Sequence, residues 1–268
     1  PSPIHAHERR AGPPWPESDR GHGRDMTHPG SETPRLEAAP PATRGWRAVI
    51  GSSVEGRPIE VVTFGTGPDT ALVLAGTHGD EPKGVYVARR LVDLLSNAPE
   101  PAAGCRVTIV PVVNPDGYER RNRRNAAGID LNRNFPTATW TAGKPRSRYY
   151  GGSSPASEPE TRAVLRLVER SQPRRIVSLH SIGRHQFCNN YNGPGLEWAR
   201  AMGAANGYRV TASIGYPTPG SFGAWAGAER GIPTITLELP SHHSRGRCWR
   251  DNREALLTFI RGLRAGRG

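Results

Sequence analysis

His78 and Glu81 stand three residues apart in THGDEP, directly after the apolar run ALVLAG at 71–76. An imidazole nitrogen and a carboxylate oxygen at this spacing can meet at one point where a chain turns after a strand. They are also donor types that zinc prefers. The same segment reads equally as a plain turn, because Gly76, Gly79 and Pro82 punctuate it. Two further apolar runs decide between these readings: RIVSL ends at His180 and TITL ends at Glu238. A catalytic zinc keeps three protein ligands and leaves one position for water. His78, Glu81 and His180 meet that requirement, and Glu238 is then available as a general base. Taken alone, His180 would be a core histidine satisfied by backbone. Beside His78 and Glu81 it becomes the third ligand, with His185 as the alternative. Asp80 reads as a turn or helix-start residue, and His242 and His243 as loop residues.

The segments that must position these groups alternate in type. WRAVI (46–50), IEVVTF (59–64), ALVLAG (71–76), RVTIVPVV (106–113), RIVSLH (175–180) and PTITLELP (233–240) predict strands. Val87, Leu91, Leu94 and Leu95 recur at helical spacing, as do Val164, Leu167 and Val168, with Ser157 and Glu160 in the positions of a capping box. Residues 195–206 predict a further helix, and Leu256, Leu257, Ile260 and Leu263 mark one at the end. Such alternation predicts an α/β fold with a mostly parallel or mixed sheet, whose ligands bind beyond the carboxyl ends of the strands.

Composition restricts the remaining choices. Residues 1–45 carry nine of the 26 prolines and four of the nine histidines (5, 7, 22 and 28), with almost no aliphatic side chains. That composition predicts a disordered tail, inside which Met26 is a candidate start, followed by one catalytic domain over 46–268. The formal charge of +12 falls on the body, and 34 of the 36 basic residues are arginine. The densest run, ERRNRR at 119–124, lacks the interleaved aromatics of a single-strand binder, so no nucleic-acid partner is expected. Within it, Arg120, Arg121 and Arg124 read as a solvated basic face. Cys105, Cys188 and Cys248 are too few and too scattered for a disulfide framework or a cysteine zinc site. No signal segment or apolar membrane span is visible, which predicts a cytoplasmic protein without a membrane partner.

HGDE (78–81), NPDG (114–117), R-x-N-x-x-G-x-DLNRNFP (123–136), His180 and Glu238 together resemble the zinc metallocarboxypeptidases, the carboxypeptidase A-like peptidases. The resemblance spans about residues 46–260. It implies a mixed, mostly parallel, twisted eight-stranded sheet flanked by helices, and one Zn2+ per chain on His78, Glu81 and His180. It further implies Glu238 as general base, Arg123 as the carbonyl-polarising arginine, and Asn132 with Arg133 as the pair holding a substrate carboxylate. Tyr216 would be the tyrosine over the substrate, and Asp130 the carboxylate that orients the His78 ring. Within the family, LAGTHGDE (74–81), SEPET (157–161) and GYPTPGSFGAW (215–225) resemble the branch acting on murein peptides. That branch implies a small peptide substrate, cleaved at the γ-D-glutamyl–meso-diaminopimelate bond in cell-wall peptide recycling. The alternatives are a general metallocarboxypeptidase acting on α-linked peptides and a non-catalytic zinc module that recognises cell-wall peptides.

Overall fold

The computed structural model describes residues 45–183 and 186–262; the expectations for the tail at 1–44, for His185 and for Leu263 lie outside them. In chain order the elements are β1 (Trp46–Ser52), β2 (Pro58–Phe64), β3 (Asp69–Ala75), α1 (Pro82–Asn97), β4 (Cys105–Val110), α2 (Pro115–Arg120), α3 (Pro159–Ser171), β5 (Arg175–Ile182), β6 (Cys188–Asn192), α4 (Leu196–Asn206), β7 (Arg209–Thr211), β8 (Thr234–Pro240) and α5 (Arg245–Arg261). The strands form one eight-stranded sheet in the order β1-β2-β4-β3-β5-β8-β6-β7. The β4-β3, β3-β5, β5-β8 and β6-β7 pairs are parallel and the other three antiparallel, so the sheet is mixed and mostly parallel.

Its centre is buried on both faces, as continuous apolar strands require. Val73, Val177 and Leu237 pack on one face with α1, α4 and α5, among them Leu91, Met202 and Phe259. Leu72, Leu74 and Ile176 pack on the other with Val164 and Val168 of α3, and with Phe222 and Trp225. Strand alternation therefore sends His180 and Glu238 out on the Trp225 face, and the two are direct partners across β5 and β8.

Three details differ from the sequence reading. β4 ends at Val110, because Pro111 has no N–H to continue the ladder. The short strands β6 and β7 and the helix α2 carry no apolar period and are not foreseen by pattern. The capping box at α3 does not form. Glu158 is the N-cap, without a side-chain cap bond, while Glu160 accepts from Asn125 Nδ2 at 3.1 Å and from Val54 N–H at 3.2 Å. Glu160 thus ties distant loops together instead of closing its own helix. All three cysteines are buried and unpaired. Among the described residues, no helix is long and apolar enough to cross a membrane.

Arg175, at the start of β5, is fully buried and holds the end of α5 against the sheet. Its Nε donates to Phe259 O and its Nη2 to Ile260 O, both at 2.7 Å, and its Nη1 to Asp69 Oδ1 at 2.5 Å. The guanidinium also lies 4.7 Å from the ring centroid of Trp198. Truncation would leave two helix-end carbonyls and a carboxylate without their donor. Arg175→Met is expected to lower unfolding free energy by roughly 2–4 kcal/mol, read as a fall in the urea midpoint at unchanged slope.

Candidate active site

Gly76 ends β3 with a positive φ of 66°, which turns the chain toward the carboxyl edge of the sheet. Gly79 then passes so close to α2 that an added Cβ would lie 2.0 Å from the Gly117 carbonyl carbon. Asn114 fixes this approach. Its Oδ1 accepts from Gly117 N–H at 2.9 Å, capping α2, and its Nδ2 reaches Thr77 O and Arg123 O, each at 3.4 Å. The glycine and asparagine of NPDG therefore hold the HGDE loop and the Arg123 loop in one place.

His78, Glu81 and His180 converge there. Their candidate donor atoms all lie within 4.8 Å of one another. His78 Nδ1 is 2.8 Å from Glu81 Oε1, and His180 Nδ1 is 3.1 Å from Glu81 Oε2 and 3.2 Å from His78 Nδ1. Ser181 N–H donates to Glu81 Oε2 at 3.0 Å, which orients the carboxylate. Two imidazole nitrogens and a carboxylate oxygen, buried and aimed at one point, suit zinc. Each ring presents Nδ1 to the common point, and His78 Nε2 faces Asp130 Oδ1 at 3.0 Å. That contact leaves Nδ1 as the ligating nitrogen.

Asp130 serves more than the histidine. Its Oδ1 also accepts from Asn132 N–H, and its Oδ2 accepts from Arg123 Nε, each at 3.0 Å. Burial alone would raise the Asp130 pKa, but His78, Arg123 and Arg133 outweigh it and hold the group well below the usual carboxylate range. Burial likewise opposes the charge on Glu81, and His78 and His180 more than offset it, so Glu81 is also lowered. His78 is raised to about 9, because the pull of Glu81 and Asp130 exceeds the cost of burial. Burial lowers His180. Glu238 is pushed up to about 8 by burial and by the nearby Glu81 charge.

These groups face a cleft of about 280 Å³, lined among others by Arg123, Asn132, Arg133, Tyr216 and Glu238 with the three donor residues. Asn132 Oδ1 accepts from Phe222 N–H at 2.9 Å, so its amide NH₂ is the end left for a ligand. Arg133 is buried, with Nη1 donating to Asn132 O at 2.6 Å. Arg123 Nη1 lies 3.4 Å from Glu81 Oε1, which puts its cation beside the donor trio. Eight of the nine site residues expected from the sequence thus line one cleft, and the ninth, Asp130, is buried behind it against His78 and Arg123. Sequence reasoning missed Arg148, which also lines the cleft, and Tyr149. The Tyr149 ring centroid lies 5.4 Å from the Arg123 guanidinium carbon and 5.2 Å from that of Arg133, bridging the two cations. An aromatic pair (Tyr149 and Tyr150) in a polar loop gives no periodic signal; only its place directly after Arg146 and Arg148, downstream of DLNRNFP, could have hinted at it. His242 and His243 are loop residues as expected, their rings 4.5 Å apart. Asp80 lies in the turn before α1, 4.0 Å from Arg148.

Residues 46–248 match the zinc carboxypeptidase family model. Murein peptide amidase A of Escherichia coli K12 is 35% identical over 227 residues, covering 77% of this chain and 86% of that protein. The crystal structure of murein-tripeptide amidase MpaA from Escherichia coli O157 superposes with a TM-score of 0.65 at 31% identity, covering 86% of this chain and 97% of that one. Bovine thrombin-activatable fibrinolysis inhibitor, solved with a tick carboxypeptidase inhibitor, superposes at 0.67 with 23% identity over 80% of this chain and 87% of that one, a likeness of fold alone. With the donor trio in place and the match running through nearly all the described residues, the chain belongs to the zinc carboxypeptidase family and is a hydrolytic enzyme.

Proposed function

We propose that this enzyme hydrolyses the amide bond before a C-terminal residue bearing a free carboxylate, and that its substrate is a murein tripeptide cleaved between γ-D-glutamate and meso-diaminopimelate. One observation carries the reading: a base, a metal-donor trio and two separate guanidiniums open onto a single cleft. The names of the amidase relatives support the choice of substrate. In the same reading, 46–268 is the catalytic domain, 1–45 is a tail, and the enzyme works in the cytoplasm in cell-wall peptide recycling.

Each residue has a role that its chemistry fits. Bound zinc supplies the Lewis acidity that makes water nucleophilic near neutral pH. Glu238, with its raised proton affinity, takes a proton from the attacking water and delivers it to the leaving nitrogen. Arg123 donates to the carbonyl oxygen as negative charge develops on it. Arg133 and the Asn132 amide hold the carboxylate of the leaving residue, which confines cleavage to chain ends. Tyr216, half-exposed at the cleft, covers the substrate, and Asp130 keeps the His78 ring turned toward the metal.

Three outcomes follow. Glu238→Gln is expected to lower kcat by on the order of 10²–10⁴ or more while zinc content, measured by metal analysis, stays at one per chain. Full activity in that variant would remove Glu238 from the mechanism. Arg133→Ala is expected to raise KM roughly ten- to a hundredfold for peptides with a free terminal carboxylate, the loss of a charge-assisted hydrogen bond. A chain-end amide should be a poor substrate for wild type and variant alike. The third outcome concerns zinc uptake. With a pKa of about 9, the metal-free His78 is protonated at neutral pH and must release that proton to ligate. Apparent zinc affinity should therefore rise about tenfold per pH unit from about pH 6 and level off near pH 9, as read by competition with a chromophoric chelator.

A further inference from the structure

A second pocket, of about 420 Å³, adjoins the cleft. Its lining includes Arg120, Arg121, Arg123, Arg124 and Arg148, against one carboxylate, Asp80. The two spaces share Arg123 and Arg148, whereas Asn132, Arg133 and Tyr216 line only the cleft. The pocket therefore opens at the carbonyl-polarising end of the site and not at the proposed anchor for the leaving carboxylate.

Its charge is not neutralised from within. Arg120 is paired with Glu55, and Arg123 is engaged by Asp130 and Glu81. The other three cations are less well compensated. Arg124 Nη1 donates only to the neutral carbonyls of Arg146 and Ser147, at 3.0 and 3.4 Å. Arg148 stands 4.0 Å from Asp80, beyond hydrogen-bond reach. Arg121 makes no side-chain hydrogen bond or ion pair among the described residues. Its backbone holds the left-handed conformation (φ 53°) that caps α2, a position usually given to glycine. Like charges crowded beside a concave surface repel one another and favour an anion that enters.

We propose that this pocket is a subsite for a free carboxylate on the acyl side of the scissile bond, with Arg121 and Arg148 as its principal donors. The proposal rests on the amide-hydrolase reading above and narrows it. A glutamyl residue joined through its γ-carboxyl keeps its α-carboxylate free, three carbons from the carbonyl of the bond that breaks. An α-linked residue uses that carboxylate in the chain and presents a negative charge there only when its side chain is acidic. The pocket thus selects γ-glutamyl linkages, or acidic residues in α-linked ones, over neutral acyl residues.

The test compares matched peptides on the zinc-loaded full chain. One pair is L-Ala-γ-D-Glu-meso-diaminopimelate and its α-carboxamide counterpart. The other is a pair of α-linked peptides with Asp or Asn before the leaving residue. Wild type is expected to prefer the acidic member at least tenfold in kcat/KM, mainly through KM, with the preference shrinking as salt rises. In the Arg121→Ala/Arg148→Ala double variant it should fall below about threefold, with the melting temperature checking that the fold is kept. A wild-type ratio near one, or a ratio that the double substitution leaves unaltered, overturns the proposal. Cleavage of the α-linked pair without the murein peptide would overturn the substrate assignment, while the Asp/Asn ratio would still read the pocket. If no peptide is cleaved, calorimetric binding of all four to Glu238→Gln decides, and equal affinity within each pair overturns the subsite.

Discussion

The carboxylate of Asp130 is the contact on which the site is built. It faces His78 Nε2 and accepts from Arg123 Nε and Asn132 N–H, all at 3.0 Å, with no exposure to solvent. A buried charge of this kind persists only if its acceptor sites are filled. Filling them here fixes three things together: the tautomer of a metal-donor histidine, the direction of Arg123, and the turn that carries Asn132 and Arg133. Because one group sets all three, the spacing between metal donors and guanidiniums depends on a single rigid point rather than on independent loops.

The sheet supplies the other half of the constraint. β3, β5 and β8 are consecutive parallel neighbours, so the groups at their carboxyl ends emerge side by side. His180 and Glu238 are direct register partners, and the chain leaving β3 brings His78 and Glu81 to the same edge. A second network braces the loops beneath. Asn125 Nδ2 donates to Glu158 Oε2 at 2.7 Å and to Glu160 Oε2 at 3.1 Å, joining the start of α3 to the segment that runs into DLNRNFP. Charge concentration at the reactive edge is tolerated because hydrogen-bonded polar groups, not apolar packing alone, surround it.

This division explains what could be read from the chain. An imidazole or carboxylate at the end of an apolar run is conspicuous in one dimension, and His78, Glu81, His180 and Glu238 were legible for that reason. The central strands were legible too, since burial on both faces demands continuous apolar residues. That β3, β5 and β8 are adjacent is a property of pairing that no local pattern carries. CNNYN, which forms β6, has no apolar alternation because Asn189 bonds Asn206 and the strand pairs two neighbours through its backbone. Ser157 and Glu160 matched a capping box, but long-range bonds to Asn125 and Val54 drew Glu160 away, a tertiary override of a local signal. Reading Arg121 and Arg124 as a solvated face captured the exposure of Arg121 but not the half-burial of Arg124, and missed the position of both, because pocket lining depends on Arg148 and Asp80 being brought alongside.

Placing cations on both sides of one scissile bond has a consequence for selectivity. Arg133 is buried, so its charge is weakly screened and acts at close range on whatever carboxylate enters. Arg121 and Arg148 are exposed, and their field is damped by salt beyond about 8–10 Å. In the proposed reading, the outer cations draw an anionic peptide toward the cleft, and the buried one grips its chain end once water is displaced. A peptide with one carboxylate satisfies only one of these demands. A peptide with carboxylates flanking the reacting amide satisfies both, and its length then sets which carbonyl lies beneath Arg123. Selection by two fixed charges on either side of the metal-donor trio requires no deep apolar pocket. In that reading, part of the arginine excess of the chain acquires a chemical role.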